Sequence, residues 1–424
     1  MKRLLASFLM IQLVAAPAFA ATADKKMSLQ ECYDLALQRS ETVAISEQEI
    51  AAAQAIYTQA LGSVLPKLSI NVQEFLQDSS AQSNGGGSVG STFTQFSRPS
   101  VAVTLNQPIF RGFKEFHALK LAKVNESQKR LLHRNAERLL FQDVVIAFLT
   151  IVKIERDIEI FQKIIQVETS SIHELAERVH LGKSRESEAA LLETDVALLQ
   201  AQLEQKRGER RTAYDSLAFL TGIDPQPPIA YDNPPVRDLK PLDYYTSLLD
   251  ERPDVQAARD DVQLAKGQVK IRQGDLLPSA DVAANYYPYR AGFLKDIKWD
   301  ATFNVGIPVF NWETVGQIRE AKTRAKQSEL QEELTRRTAS TQVQKSYDGY
   351  VSSRNEYQKF RSASDKARQS YDLQSKDFSQ SLINTLDLLQ SQQTWLDALR
   401  QRNTAEVETW LDWLALQVTA GVLP

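Results

Sequence analysis

The sequence predicts a mainly α fold with a small β part, in which one long-helix unit is built and then copied. Three observations predict it. Val144, Ile151, Ile158, Ile165, Ile172 and Val179 recur every seven residues, and so do Val343, Tyr350, Tyr357, Ser364, Tyr371 and Phe378, each 199 residues after its counterpart. Short motifs repeat at similar offsets. Gln107-Pro108-Ile109-Phe110-Arg111-Gly112 is echoed by Gly306-Ile307-Pro308-Val309-Phe310-Asn311, with Pro108 and Phe110 recurring 200 residues later as Pro308 and Phe310, and Leu65-Pro66 is echoed 212 residues later by Leu277-Pro278. Finally, four short segments of period-two alternation stand between the helices. A heptad sustained over five periods commits a long helix to a coiled-coil seam, and its duplication implies a duplicated structural unit.

Residues 28–65 read as helical and rich in alanine, ending at Gly62 and Pro66. Leu68, Ile70 and Val72 then alternate with Ser69, Asn71 and Gln73, which predicts a strand over 68–76 with one wet face. A Gly- and Ser-rich loop over about 78–97 leads to a second strand over 99–107, carrying Val101, Val103 and Leu105 on one face. The chain is expected to turn helical after Pro108, with a long helix over 113–179 and a shorter one over 185–221. Pro225, Pro227, Pro228, Pro234, Pro235 and Pro241 forbid helix and mark a linker over 222–242.

The order then recurs: helix 253–277, strand 280–287, strand 299–307, long helix 313–379 and helix 384–420. Each long helix would reach about 100 Å at 1.5 Å per residue. A short pair stacked end to end nearly matches that length, which suggests a cylinder of constant height.

The compartment is read from residues 1–20. Lys2-Arg3, the apolar run Leu4 to Val14 and the Ala18-Phe19-Ala20 cleavage signal together read as a secretory signal peptide. No cysteine follows the expected cut, which argues against a lipid anchor. A single cysteine, Cys32, excludes an intramolecular disulfide framework, and four scattered histidines offer little for a metal. With 50 basic and 53 acidic residues the net charge is −3, which gives no reason to expect nucleic acid. No later segment is apolar enough for a transmembrane helix, so any membrane crossing would be by a barrel. Four strands cannot close one. Strands of about ten residues with one apolar face are long enough to span, but an open edge in lipid is intolerable, so the chain would have to oligomerise.

At the two helix-to-strand junctions, Leu65-Pro66-Lys67-Leu68 and Leu277-Pro278-Ser279-Ala280, the chain resembles the TolC-like outer membrane efflux family. The strand-to-helix elements Gln107 to Gly112 and Gly306 to Phe310 add to the resemblance, as does the opening Arg252-Pro253-Asp254-Val255 of the second repeat. The resemblance covers essentially the whole mature sequence. It implies a homotrimeric α-helical barrel in the periplasm, to which each chain adds four strands of a shared twelve-stranded transmembrane β-barrel. It further implies a passive exit duct with no enzymatic activity and no cofactor. Its partners would be a periplasmic adaptor, an inner membrane transporter and the lipid of the outer membrane, in efflux or type I secretion.

The resemblance also points to residues. The tunnel would narrow where the long helices turn back, at Val179-His180-Leu181-Gly182-Lys183-Ser184 and Phe378-Ser379-Gln380-Ser381-Leu382-Ile383. Glu188 and Asp387 stand nine residues past Val179 and Phe378, so a trimer could bring up to six carboxylates to one constriction and favour cations. Gln390 stands where the family often has a second acid, and Phe378 where it usually has tyrosine. Val179, Phe378, Glu188, Asp387 and Gln390 are therefore the gate candidates. Gly182, Lys183, Ser184, Ser381 and Leu382 are the candidate adaptor contacts. The plain alternatives are solvated helix charges and two tight turns.

Tyr286, Tyr287, Tyr289, Phe293 and Trp299, with Phe93 and Phe96, suit a headgroup belt at the barrel end. Gly182-Lys183-Ser184 lacks the upstream glycine of a phosphate loop, since residue 177 is Glu177, and the Gly85 to Gly90 run has no helix to receive a phosphate. His173 and His180 have no third ligand beside them. The competing reading of the whole chain is a soluble periplasmic coiled-coil scaffold or adaptor.

Overall fold

The computed structural model describes residues 26–76, 97–182, 184–224, 227–231, 239–292, 294–380 and 382–422. The signal peptide, Phe93, Phe96, Lys183, Phe293 and Ser381 lie outside the described residues.

Helices α1 (Leu29–Arg39) and α2 (Glu41–Gly62) lead into strands β1 (Lys67–Leu76) and β2 (Ser97–Arg111), then α3 (Lys114–His180) and α4 (Glu186–Thr221). The second unit holds α5 (Leu242–Ser247), α6 (Pro253–Gly274), β3 (Ser279–Arg290), β4 (Trp299–Gly306), α7 (Trp312–Ser379) and α8 (Thr385–Thr419). The fold class is the one the heptads predict.

Several boundaries differ from expectation, three of them with a clear local cause. The helix expected over 28–65 is broken at Ser40, whose extended backbone (ψ 113°) ends α1 while its Oγ accepts from the Val43 N–H to cap α2. The second strand does not stop at residue 107. It continues through Pro108 to Arg111, because Gln107 and Pro108 stay in register with Val282 and Asp281 and a bulge absorbs Ile109. The helix expected over 253–277 ends at Gly274, and a turn fills the gap before β3.

The heptad residues form the core seam. Val144, Ile151, Val343, Tyr350 and Ser364 are almost wholly buried, while Ile165 and Ile172 pack at its margin. Tyr371 stacks on Trp395 (centroids 5.1 Å apart) and Tyr350 meets Trp413, so these two second-heptad tyrosines are core residues, while Tyr357 is half-buried. The helix α3 packs against α1, α2, α4, α6 and α8, and α7 packs against α5, α6 and α8. Linker and N-terminal segment also meet, since Met27 and Ile229 form a parallel bridge.

The four strands make one antiparallel sheet in the order β1-β2-β3-β4. Both its edges, β1 and β4, are unpaired among the described residues of the chain.

Candidate functional site at the hairpin tips and the sheet

Each long helix ends in a tight turn. At the end of α3, Leu181 N–H donates to the Glu177 carbonyl and Gly182 N–H to that of Val179, with Gly182 in the left-handed region (φ 68°). At the end of α7, Gln380 N–H donates to Lys376 and Leu382 N–H to Asp377. The returning helix α8 is capped by Asn384, whose Oδ1 accepts from the Asp387 N–H at 3.0 Å.

Glu188 and Asp387 both occupy the third helical position, two residues past Glu186 and Thr385, the first residues of α4 and α8. A carboxylate there faces unpaired N–H groups and the positive end of the helix dipole, so local helix stability alone favours an acid at both sites. Their surroundings then separate them. Glu188 is half-buried and accepts from the Thr385 hydroxyl at 3.1 Å, which ties the two hairpins together. Asp387 is exposed, and among the described residues its carboxylate has no partner. Gln390, one turn further along α8, is also exposed.

Phe378 is buried and Val179 half-buried. Sequence reasoning missed the residue that joins them, Arg178. Its guanidinium lies 4.8 Å from the centroid of the Phe378 ring and donates at 2.8 Å to the carbonyls of both Phe378 and Ser379. A cation thus satisfies the last carbonyls of α7 from a neighbouring helix. The tip of the second hairpin is held by an arginine of the first.

At the apices, Gly182 is exposed and Ser184 half-buried, while Leu382 projects with 68% of its surface exposed. Leu181, equally exposed at the other tip, was not singled out from sequence. Its signal was a large apolar residue within a polar turn.

The sheet has two distinct faces. One row of its register runs Ile70, Val103, Tyr286, Trp299, with Leu68, Val72, Phe303 and Val305 on the same side and mostly exposed. The next row runs Ser69, Thr104, Asn285, Asp300. There the side chains hydrogen-bond across all four strands, from Asn71 to Thr104 (3.0 Å), Thr104 to Asn285 (2.8 Å) and Asn285 to Asp300 (2.8 Å). One face is therefore wet and cross-linked, and the other is an open apolar surface. Tyr286, Tyr289 and Trp299 are exposed near the end of β3 and the start of β4. No helix among the described residues is long and apolar enough to cross a membrane. No group of three or more His, Cys, Asp or Glu among them could hold a metal ion.

The fold is similar to that of several solved proteins. With the CmeC outer membrane channel of Campylobacter jejuni it shares 17% identity over 93% of this chain and 85% of that one, at a TM-score of 0.78. With the outer membrane protein VceC of Vibrio cholerae it shares 18% identity over 93% and 96%, at 0.80. With the open state of the MtrE outer membrane channel of Neisseria gonorrhoeae it shares 18% identity over 93% and 89%, at 0.74. No curated protein matches the sequence. The family described as outer membrane efflux protein matches residues 32–223 and 244–422, one match to each repeat of the chain. With both repeats matched, this chain belongs to the outer membrane efflux protein family.

Proposed function

We propose that three copies of the chain close into a single exit duct, which passively conducts substrates delivered by an inner membrane transporter and a periplasmic adaptor. The observation that carries this reading is the sheet, with one apolar face, one hydrogen-bonded polar face and two open edges. An apolar face of that kind belongs in lipid, and an unpaired edge cannot stay there. Because the strands alternate in direction, β4 of one copy can pair antiparallel with β1 of the next. Such a head-to-tail contact forms a ring if it closes. Four strands from each of three chains make the twelve that the family resemblance calls for. A soluble scaffold would leave the apolar row in water.

The hairpin tips would form the periplasmic mouth, with Asp387 as the charge presented to the pore and Glu188 and Gln390 beside it. Val179 and the Arg178-clamped Phe378 would hold that mouth in shape. Gly182, Lys183, Ser184, Ser381 and Leu382, together with Leu181, would meet the adaptor.

Conductance of the purified mature protein across a planar lipid bilayer tests the reading. Discrete channel steps from a protein that sediments as a trimer are expected. Folded, helical protein that neither inserts nor conducts would overturn the duct and return the scaffold.

A further inference from the structure

Above the tips lies a buried polar cluster that the gate reading does not use. Glu168 on α3 is 1% exposed. Its Oε1 accepts from Gln392 Nε2 on α8 at 2.7 Å. Among the described residues its Oε2 is sealed from water with no donor to satisfy it, and the charge that acts on it is another carboxylate, Asp195 on α4. Asp195 in turn accepts from Gln393 Nε2 at 3.2 Å. A buried carboxyl with an unsatisfied oxygen and a second carboxylate acting on it is favoured in its protonated form.

We infer that Glu168 is a proton-operated latch: protonated, its carboxyl donates to Asp195 and binds α3 to α4 and α8, and deprotonated, it confronts Asp195 and releases α4. The groups facing the cluster are Asp195 from α4, Gln392 and Gln393 from α8 and the Tyr371 phenol from α7, the last within the field of Glu168, Glu174 and Asp372. None of them is a cation that could take the place of the proton. The repeat counterparts of Glu168 and Asp195, 199 residues on, are Ala367 and Thr394. The latch therefore belongs to the first hairpin alone.

Burial pushes the Glu168 carboxyl up to about 8, with the charge and hydrogen bond of Asp195 adding to the rise and the Gln392 bond opposing it. A carboxyl whose pKa is raised on folding favours the folded arrangement at low pH. That advantage is lost as pH rises towards the folded-state value. The latch is thus tightest in acid, loosens as pH rises from the ordinary carboxylate range towards about 8, and loosens no further above it. Glu168 lies twelve residues before the end of α3, about 18 Å from the tip at 1.5 Å per residue. Loosening α4 there would pass to Glu188 and the mouth, a consequence that rests on the exit-duct reading.

Hydrogen exchange of the intact trimer across pH 5 to 9, corrected for intrinsic rates, tests the latch. In the wild type, protection over residues 186–203 is expected to fall as pH rises from about 5 to about 8 and to level off above that. Glu168→Gln replaces the titrating carboxyl with an amide donor and should keep α4 protected throughout, whereas Asp195→Asn leaves the buried carboxyl titrating and should only shrink the fall. A flat wild-type profile, or a Glu168→Gln profile that follows the wild type, would overturn the latch. Open probability in bilayers, recorded over the same interval, should rise for the wild type and stay level for Glu168→Gln. Conductance unchanged while exchange responds would overturn the link to the mouth. Absence of channel steps from all three proteins would count against the duct and leave the exchange result to decide the latch.

Discussion

Gly112 and Gly274 pack backbone against backbone, joining the strand-to-helix junction of the first repeat to the helix-to-strand junction of the second. A Cβ on Gly112 would stand 2.2 Å from the Gly274 carbonyl oxygen, and one on Gly274 would stand 2.6 Å from that of Gly112. Gly112 also has φ 64°, a conformation that disfavours any side chain. Lys114 and Asp275 seal the same contact with a 2.7 Å ion pair. The two repeats are thus hinged together where the sheet meets the helices.

Gly112→Ala should therefore cost about 2–5 kcal/mol, the sum of left-handed strain and forced separation of two backbones. Thermal unfolding followed by helical circular dichroism would read it as a lowered midpoint. Gly208, inside α4, is the control. An added Cβ there meets nothing closer than 3.9 Å, so Gly208→Ala should gain about 0.5–1 kcal/mol. Equal effects at the two sites would remove the close-packing explanation.

The motif Arg252-Pro253-Asp254-Val255 closes the second repeat on itself. Arg252 is 1% exposed, donates to Asp254 through Nε and Nη2, and reaches the Thr419 carbonyl at the end of α8 at 2.7 Å. Arg138 from α3 donates to the neighbouring Val418 carbonyl and lies 3.7 Å from Asp254. Burial acts to raise the Asp254 carboxyl, but the Arg252 hydrogen bonds and charge, aided by Arg138, outweigh it and hold the group below its usual range. A carboxyl depressed on folding stabilises above its unfolded value and loses that contribution as pH falls through the folded one. Arg252→Met should cost about 1–3 kcal/mol near neutrality, since it leaves the half-buried Asp254 carboxylate to Arg138 and the Val255 N–H. It should also flatten the acid limb of the stability curve. Arg252→Lys keeps the charge without the fork and should fall between. Stability of Arg252→Met that matches the wild type across pH 3 to 7 would sink this account.

Periodicity carried the fold and lost the site. Val144 to Val179 could be read as a buried seam because burial of a helix stripe is written locally, every seven residues. The amphipathic strands were legible for the same reason. Glu168 was not, because on its own helix it is one acid among several. It is buried by α4 and α8, which arrive from elsewhere, Gln392 lying 224 residues away. Arg178 was hidden likewise, since its partners are backbone carbonyls that no sequence displays. Pro108 misled in the opposite direction, suggesting the end of a strand that a bulge allows to continue.

Asp387 and Glu188 look equivalent in sequence, and the structure separates them. Glu188 spends one oxygen on Thr385, whereas Asp387 is exposed with its carboxylate unengaged among the described residues. In the proposed trimer, removing Asp387 deletes three free charges from the mouth, and removing Glu188 deletes three that are already engaged. Asp387→Ala should therefore bring the cation-to-anion permeability ratio towards unity, with a smaller change for Glu188→Ala. Salt gives the discriminating condition. Screening acts over about 10 Å at 0.1 M and about 3 Å at 1 M, so the difference between wild type and Asp387→Ala should shrink at high salt. Reversal potentials measured under a salt gradient decide it. If Asp387→Ala reverses at the wild-type potential in dilute salt, the selectivity of the duct arises elsewhere, and the acid at the third position of α8 serves the helix alone.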